Sequence, residues 1–520
     1  MIWGLPIFSA LILALSFERP YMGLLSFFGL IPFLFFLAKI KSHKQAFLGG
    51  WLMGGLFFAL IFRWIFYAYP PDWAGVHNPY VAIPLFLFVW LGVSVFVGIA
   101  AGFFGYFSLP FIQRRAGLLI IPSFFILSEY IRAWLFMFLS WAPEARLGAH
   151  WSFGNLGYTM IDIPAIYWSR IVGLYGLSFF VALVNFIIFS FFHSRKNFQL
   201  KNLTFSAAFI LFLFFPFVIS VPEKGETLKA ALVHMDNSQG ILGVYNFTEL
   251  WRQVEKNKDF HQPDLIVLPE ASRFFAFLTD EEKLFVKRIF PDENRPGLII
   301  TSNIYAAEGN LKERKEQMIY RDQKGELIAV QDKSFLMPLG EYFPIIVKSV
   351  IQFLNPIPVQ HFNYLRSMQP ALTPESPISF NNIKIGGLLC SGVVSPLLYR
   401  SLADDGAEVF INSASQIIFK NRPFFVLQMK TMARFQAIAN ARPFLQAANG
   451  GQAFFIDADG KVAAETEGTE NKIIIFDFSP SAKKTIFTRF GDWPLAVAFL
   501  MVLGVLTANF IKRNKKRDSV

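Results

Sequence analysis

The sequence predicts a two-part fold: a multi-span α-helical membrane domain joined to a separate α/β domain. Three observations predict it. Hydrophobic residues make up 54% of the 520 residues and charged residues only 16%, too little charge to cover soluble domains of that combined length. Apolar stretches of bilayer-spanning length recur before residue 222 and once more near the end,. Between 222 and about 488 they stop, and short apolar runs alternate with helical segments,.

The spans are read near 2–17, 21–38, 46–67, 80–109, 117–137, 165–193, 203–221 and 493–511. The first has no basic leader and no small-residue cleavage pattern, so it reads as a retained span. The run at 80–109 reads as one long tilted helix or as a helix with an interfacial extension,. The net charge of +11 is not spread evenly. Lys39, Lys41 and Lys44 follow the second span; Arg114 and Arg115 the fourth; Arg195, Lys196 and Lys201 the sixth; Lys512, Arg513, Lys515, Lys516 and Arg517 the last. Every cluster follows an even-numbered span, so these loops share one face. Basic loops mark the cytoplasmic side. Both termini are then expected in the cytoplasm and the α/β domain on the outer face. The same placement removes the nucleic-acid reading of the charge, and the high apolar content excludes intrinsic disorder.

Strand-like runs in the second part are Leu228–Met235, Asp264–Pro269, Gly297–Tyr305, Met318–Arg321, Leu327–Asp332, Ile385–Cys390, Ala407–Asn412, Gln452–Asp457 and Lys472–Phe478. Helical stretches are read at 246–258, 280–290, 395–404 and 422–441. This divides the chain into a membrane part, 1–221, an α/β part, 222–488, and a C-terminal span with a basic tail, 489–520.

Three residues stand out by their setting. Glu270 closes the apolar run Asp264-Leu-Ile-Val-Leu-Pro-Glu270; Lys333 follows Leu327–Asp332; Cys390 closes Ile385-Gly-Gly-Leu-Leu-Cys390, with Ser391-Gly392 next. Chemistry in α/β folds gathers at the carboxyl ends of strands. A Glu can accept a thiol proton, and a Lys can favour the thiolate and stabilise an oxyanion. Cys390 is the sole cysteine, so neither an internal disulfide nor a cysteine metal cage is available,. No metal and no organic cofactor is expected. In the membrane part, Arg63, Glu129, Arg132 and Arg170 do not suit lipid. They read either as interfacial or paired structural charges or as holders of a lipid headgroup. Phe274-Phe-Ala-Phe277 and Phe419–Phe425 read either as lids or as core.

The Glu270, Lys333, Cys390 order resembles the carbon–nitrogen hydrolase (nitrilase) superfamily. With the surrounding spans it resembles the bacterial apolipoprotein N-acyltransferase family. Leu268-Pro-Glu270, Lys333 to Pro344 with Glu341, and the closing run Gly406-Ala407, Asn412, Arg442-Pro443, Asn449, Gly451, Ile456-Asp457 and Gly460 carry the likeness. Gly54 with Trp64, Glu129-Tyr-Ile-Arg132 and Gly173-Leu-Tyr-Gly-Leu-Ser178 are similar to its membrane motifs. The chain departs from the pattern at Leu268, Ser391-Gly392, Ser413-Ala-Ser415-Gln416 and Gln436-Ala-Ile-Ala439.

The resemblance implies a periplasmic αββα nitrilase-like sandwich in the bacterial inner membrane. It implies an acyltransferase that takes an acyl chain from a phospholipid and passes it to the N-terminal amine of a diacylglyceryl lipoprotein. Glu270 is then the base, Lys333 the oxyanion and thiolate stabiliser, Cys390 the nucleophile and Glu341 a supporting residue. Two other readings stay open: a membrane-anchored amidase, and a lipoprotein-binding relative with reduced or no activity.

Overall fold

A computed structural model describes residues 2–71, 77–193, 226–236, 244–256, 262–270, 296–306, 314–354, 368–467 and 470–517. The expected span at 203–221, the helix at 280–290, the segment Phe274–Phe277 and the basic residues Arg195, Lys196 and Lys201 lie outside them.

The first part is helical: α1 (Gly4–Leu15), α2 (Pro20–Lys39), α3 (His43–Ala68), α4 (Pro79–Phe111), α5 (Gly117–Leu139) and α6 (Pro164–His193). The last five are long and apolar enough to cross a membrane, and α1 is shorter. The run at 80–109 is one helix. Its start is set by Asn78, whose side chain accepts from Tyr80 N at 2.9 Å, and by Pro79 in the first turn,. Helices α3 and α4 approach closely because their contact is built from small residues. A Cβ on Gly50 would lie 2.2 Å from the Ala101 carbonyl oxygen. Between helices in lipid, close backbone approach takes the place of a hydrophobic driving force.

The second part contains twelve strands among the described residues. They are β1 (Leu228–Met235), β2 (Leu265–Val267), β3 (Leu298–Ala306), β4 (Arg314–Asp322), β5 (Leu327–Asp332), β6 (Ile378–Phe380), β7 (Ile383–Leu389), β8 (Val409–Ser415), β9 (Phe444–Asn449), β10 (Phe454–Ile456), β11 (Val462–Glu465) and β12 (Lys472–Phe478). Their helices are α7 (Val244–Glu255), α8 (Ile345–Leu354), α9 (Pro396–Asp404), α10 (Pro423–Asn440), α11 (Ile486–Phe490) and α12 (Trp493–Arg517).

The strand order is β5-β4-β3-β2-β1-β9-β8-β7-β6, with β10 and β11 continuing from β9 and β12 paired to β1. Along one edge of β1, Leu228–His234 pair antiparallel with β12; the other edge is divided, Ala230–Leu232 pairing with β2 and His234 and Met235 with Ala448 and Asn449 of β9. The two halves fold face to face across this seam. Leu232, Ile300 and Tyr320 from one half pack with Leu389, Ile411 and Leu445 from the other. Helix α7 covers one outer face, placing Phe247 and Trp251 against Val233, Ile266 and Ile299. Helices α9 and α10 cover the other. Both faces of the inner strands are buried, which explains their nearly continuous apolar runs. The result is an αββα sandwich.

The second outer layer is also the floor on which the membrane helices stand. Phe410, Phe444, Tyr399 and Phe435 share one apolar cluster with residues of α2 to α6. Arg170 spans the junction: Nε donates to the Ile438 carbonyl at 3.2 Å, and Nη2 to the Ala458 carbonyl at 3.0 Å and Asp459 Oδ1 at 2.7 Å. Gly173, at φ +62°, bends α6 where a Cβ would meet the Phe487 ring at 2.5 Å.

Three strands, β6, β9 and β11, were not expected from the sequence. The centrally placed β9, Phe-Leu-Gln-Ala-Ala-Asn, has little β-branched character, and its pairing with β8 along its whole length overrides propensity,. The run ending at Cys390 stops one residue earlier, at Leu389, and Cys390 opens a 3-10 turn.

Candidate active site

Glu270, Lys333 and Cys390, distant in sequence, meet at one end of the sandwich. Strand β2 ends at Val267 and places Glu270 three residues on. Strand β5 ends at Asp332 and delivers Lys333. Strand β7 ends at Leu389, and Cys390 takes φ +34°. A left-handed conformation at a non-glycine residue is strained and persists only where its surroundings impose it. The Cys390 side chain meets the end of the adjacent parallel strand, where Sγ donates to the Ser415 carbonyl at 3.4 Å. Ser415 N in turn donates to Glu270 Oε2 at 2.8 Å, so the end of β8 bridges the thiol and the carboxylate.

Lys333 Nζ donates to Glu270 Oε1 at 2.7 Å and to Glu316 Oε2 at 2.9 Å, and also to Glu341 Oε1. Glu341 is fixed through its second oxygen, which accepts from Met337 N at 2.8 Å. All four side chains are withdrawn from solvent, Glu341 the least so. Lys333 and Glu341 are therefore not a surface pair. The Glu270, Glu316 and Glu341 oxygens lie within 4.8 Å of one another, a grouping that could also suit a metal ion; the cation they surround is the Lys333 ammonium.

Burial opposes the charge on Lys333, but Glu270, Glu316 and Glu341 outweigh it and hold the ammonium well above its usual pKa. Burial, and then the nearby Glu270 charge, pushes the Glu316 carboxyl up to about 7 against the pull of Lys333. Burial likewise pushes Glu341 up to about 7, with Lys333 opposing and Glu316 adding. Burial and then Glu270 push the Cys390 thiol well up, and Lys333 opposes. The resting sulfur is a thiol, so an attack needs a base within reach.

The loop after α5 binds the site to the membrane helices. Arg146 reaches Glu375 Oε2 at 3.0 Å and also bonds the Ser334 hydroxyl, and Ser334 N donates to Glu375 Oε1 at 3.0 Å. Tyr342 Oη donates to the Ser140 carbonyl at 2.9 Å. Ser152 Oγ donates to the Val394 carbonyl at 2.6 Å, just after the Cys390 turn. Ser391, directly after Cys390, donates to the Phe335 carbonyl at 2.5 Å and is buried.

Beside this loop lies an apolar cavity of about 330 Å³. Phe62 and Trp64 of α3, Val89 of α4, Trp151, Met337 and Phe343 are among its walls. Met337 connects the cavity to the site through the Glu341 bond. The Phe419–Phe425 segment packs here: both end rings lie on Trp64, at centroid distances of 5.3 and 5.1 Å.

The four membrane charges are not brought to the Lys333 cluster. Arg63 pairs with Glu18 at 2.7 Å and lies over the Phe424 ring at 3.8 Å. Glu129 Oε1 accepts from Leu156 N at 2.8 Å, and Arg132 donates to Asn155 Oδ1 at 2.5 Å, so both hold the turn before α6. Arg170 is the strut described above. Sequence reading missed Glu316, Ser415, Arg146 and Glu375. A signal for Glu316 exists: it is in phase with Met318 and Tyr320, which face the sandwich core,.

Two family models match the chain: the apolipoprotein N-acyltransferase N-terminal domain over residues 9–187 and carbon-nitrogen hydrolase over residues 229–485. An apolipoprotein N-acyltransferase of Geobacter metallireducens is 25% identical over 94% of this chain and 91% of its own length. That of Haemophilus influenzae is 24% identical over 97% and 98%, and that of Aquifex aeolicus 26% over 86% and 93%. The crystal structure of a carbon-nitrogen hydrolase from Helicobacter pylori G27 is 16% identical, covers 49% of this chain and 89% of that one, and gives a TM-score of 0.36.

Proposed function

This chain belongs to the apolipoprotein N-acyltransferase family, and from that premise we propose that it acylates the N-terminal amine of diacylglyceryl-cysteine lipoproteins through a thioester on Cys390. The observation that carries the mechanism is the convergence of Glu270, Lys333 and Cys390 beside an apolar cavity walled by membrane helices.

Glu270 takes the thiol proton as Sγ attacks the ester carbonyl of a phospholipid. The C–O bond breaks, and the lysophospholipid oxygen leaves with that proton. The lipoprotein amine then attacks the thioester, Glu270 takes a proton from nitrogen, the C–S bond breaks and sulfur recovers its proton. Lys333 and backbone N–H groups at the Cys390 turn stabilise the oxyanion in both halves. Glu341 orients Lys333. No metal enters these steps.

Both substrates carry long acyl chains, and each buried CH₂ is worth about 0.8 kcal/mol, so neither leaves lipid readily. A site at the bilayer surface, beside an apolar cavity, avoids that loss. Residues 1–221 form the membrane part, 222–488 the catalytic part and 489–520 the last span and tail. The basic loops orient the catalytic part to the periplasm of a bacterial inner membrane, with both termini cytoplasmic.

The test is incubation with a phospholipid carrying a labelled acyl chain, followed by a diacylglyceryl-cysteine peptide. Intact mass should show an acyl adduct on Cys390, absent in Cys390→Ala, and the label should then pass to the peptide amine. Release of free fatty acid alone would favour an amidase-like hydrolase, and absence of the adduct would favour a binding protein.

A further inference from the structure

An ammonium has three N–H donors and no acceptor. In Lys333 all three have partners: Glu270 Oε1, Glu316 Oε2 and Glu341 Oε1. Lys333 therefore has no donor left for a substrate oxygen until one carboxylate lets go. Glu270 is engaged as the base beside the thiol. Glu341 is held from behind by Met337 N. Glu316 is the remaining partner, and an oxygen of its buried carboxyl lies within 4.8 Å of one on Glu341. Three buried carboxylates face one ammonium, and two of them this close disfavour each other's ionisation, so a proton on the Glu316–Glu341 pair relieves the repulsion,.

We propose that Glu316 is a positioning residue that holds the third Lys333 N–H in the resting site and releases it to the substrate oxygen only while a proton is shared between Glu316 and Glu341. This rests on the reading of Cys390 as the acyl-carrying nucleophile. The proton supplies the balance: with it the carboxyl pair carries one negative charge, and the pull on Lys333 is divided. Without it two full charges grip the ammonium. Glu316 is faced by Glu270 from the end of β2, Lys333 from the end of β5 and Glu341 from the following loop. Lys315 and Asp332 pair with each other at 2.8 Å and are more exposed. Burial and Glu270 place Glu316 at about 7, so the shared proton is lost above neutrality.

The test uses the full-length protein in detergent with p-nitrophenyl butyrate, an activated ester whose attack passes through an oxyanion. Nitrophenolate release and acyl-Cys390 mass are followed from pH 5.5 to 9. Iodoacetamide alkylation of Cys390, which forms no oxyanion, is the control. Wild-type ester acylation should fall above neutrality by about tenfold per pH unit. Glu316→Gln cannot ionise and should remove most of that fall, leaving about tenfold more acylation than wild type at high pH, with the alkylation profile changed by less than about threefold. Glu316→Asp should keep the fall but move its midpoint to lower pH, which guards against a Gln variant that fails to fold. Identical ester profiles in wild type and Glu316→Gln, or an unmoved midpoint in Glu316→Asp, overturn the inference alone. A wild-type Cys390 that is alkylated but never acylated overturns the nucleophile reading and the inference with it.

Discussion

Glu316 and Lys333 are joined twice: Lys333 N donates to the Glu316 carbonyl at 2.8 Å, and Lys333 Nζ donates to Glu316 Oε2 at 2.9 Å. The backbone bond continues the β4–β5 ladder one residue past the strand. It therefore ties the ammonium to the sheet and not to a loose loop. Everything else in the site is arranged around that ammonium.

Cys390→Ser should lower acyl transfer by about 10⁴-fold or more, because a serine hydroxyl is a far weaker nucleophile with this base. Transfer from labelled phospholipid to a diacylglyceryl-cysteine peptide measures it. Activity within tenfold of wild type would refute a thioester route.

Lys333→Met leaves three buried carboxylates without their cation. Removing one partner of a buried ion pair costs about 3–5 kcal/mol. The thermal midpoint in detergent should drop accordingly, and more at pH 8 than at pH 5, where the carboxyls can take up protons. An equal drop at both pH values would contradict the charge argument.

Stability itself should depend on pH through Glu316 and Glu341. Their pKa rises from 4.5 to about 7 on folding. The folded state binds more protons than the unfolded state between those values, so its advantage is full below about 4.5 and is lost as pH rises through about 7,. Glu341→Gln removes one of the two groups. Its thermal midpoint relative to wild type should rise between pH 5 and pH 8, and a constant difference would count against the raised values.

Arg170→Ala should loosen the junction between the membrane helices and the sandwich. It removes a buried guanidinium that contacts two carbonyls and Asp459. The expected destabilisation is about 2 kcal/mol, read as faster limited proteolysis near Ala458. Unchanged cleavage would show that apolar packing alone holds the junction.

Gly50→Val should prevent α3 and α4 from closing, since a Cβ there would lie 2.2 Å from a backbone oxygen. Loss of folded protein in membranes is the expected readout. Gly4→Ala, where a Cβ meets nothing within 4 Å, is the tolerated control.

Hydrophobic periodicity and run length made much of this fold readable. The long apolar helices lie where apolar runs of spanning length were found, and most strand-like runs are strands. The missed elements have local reasons. Strand β9 is a strand because β8 and β10 pair with it on either side, not because of its residues. The membrane charges read from sequence either as paired structural charges or as headgroup holders; Arg63 has Glu18 as a partner, 45 residues away. Such a pairing leaves no local pattern.

By itself the sequence determined where apolar runs of spanning length lie, which segments carry positive charge, and that a Glu, a Lys and a Cys each stand at a strand end. Those are properties of short windows, governed by transfer energy and by the two-residue strand repeat. Only the tertiary structure decided that Glu316 joins them, that the three carboxylates occupy every donor of Lys333, and that the site is pinned to the α5 loop beside an apolar cavity. These depend on the seam at which β1 passes from β2 to β9 and on the docking of the sandwich against the membrane helices. A seam and a docked face are relations between distant segments, and their energy resides in contacts that no short stretch of the chain contains.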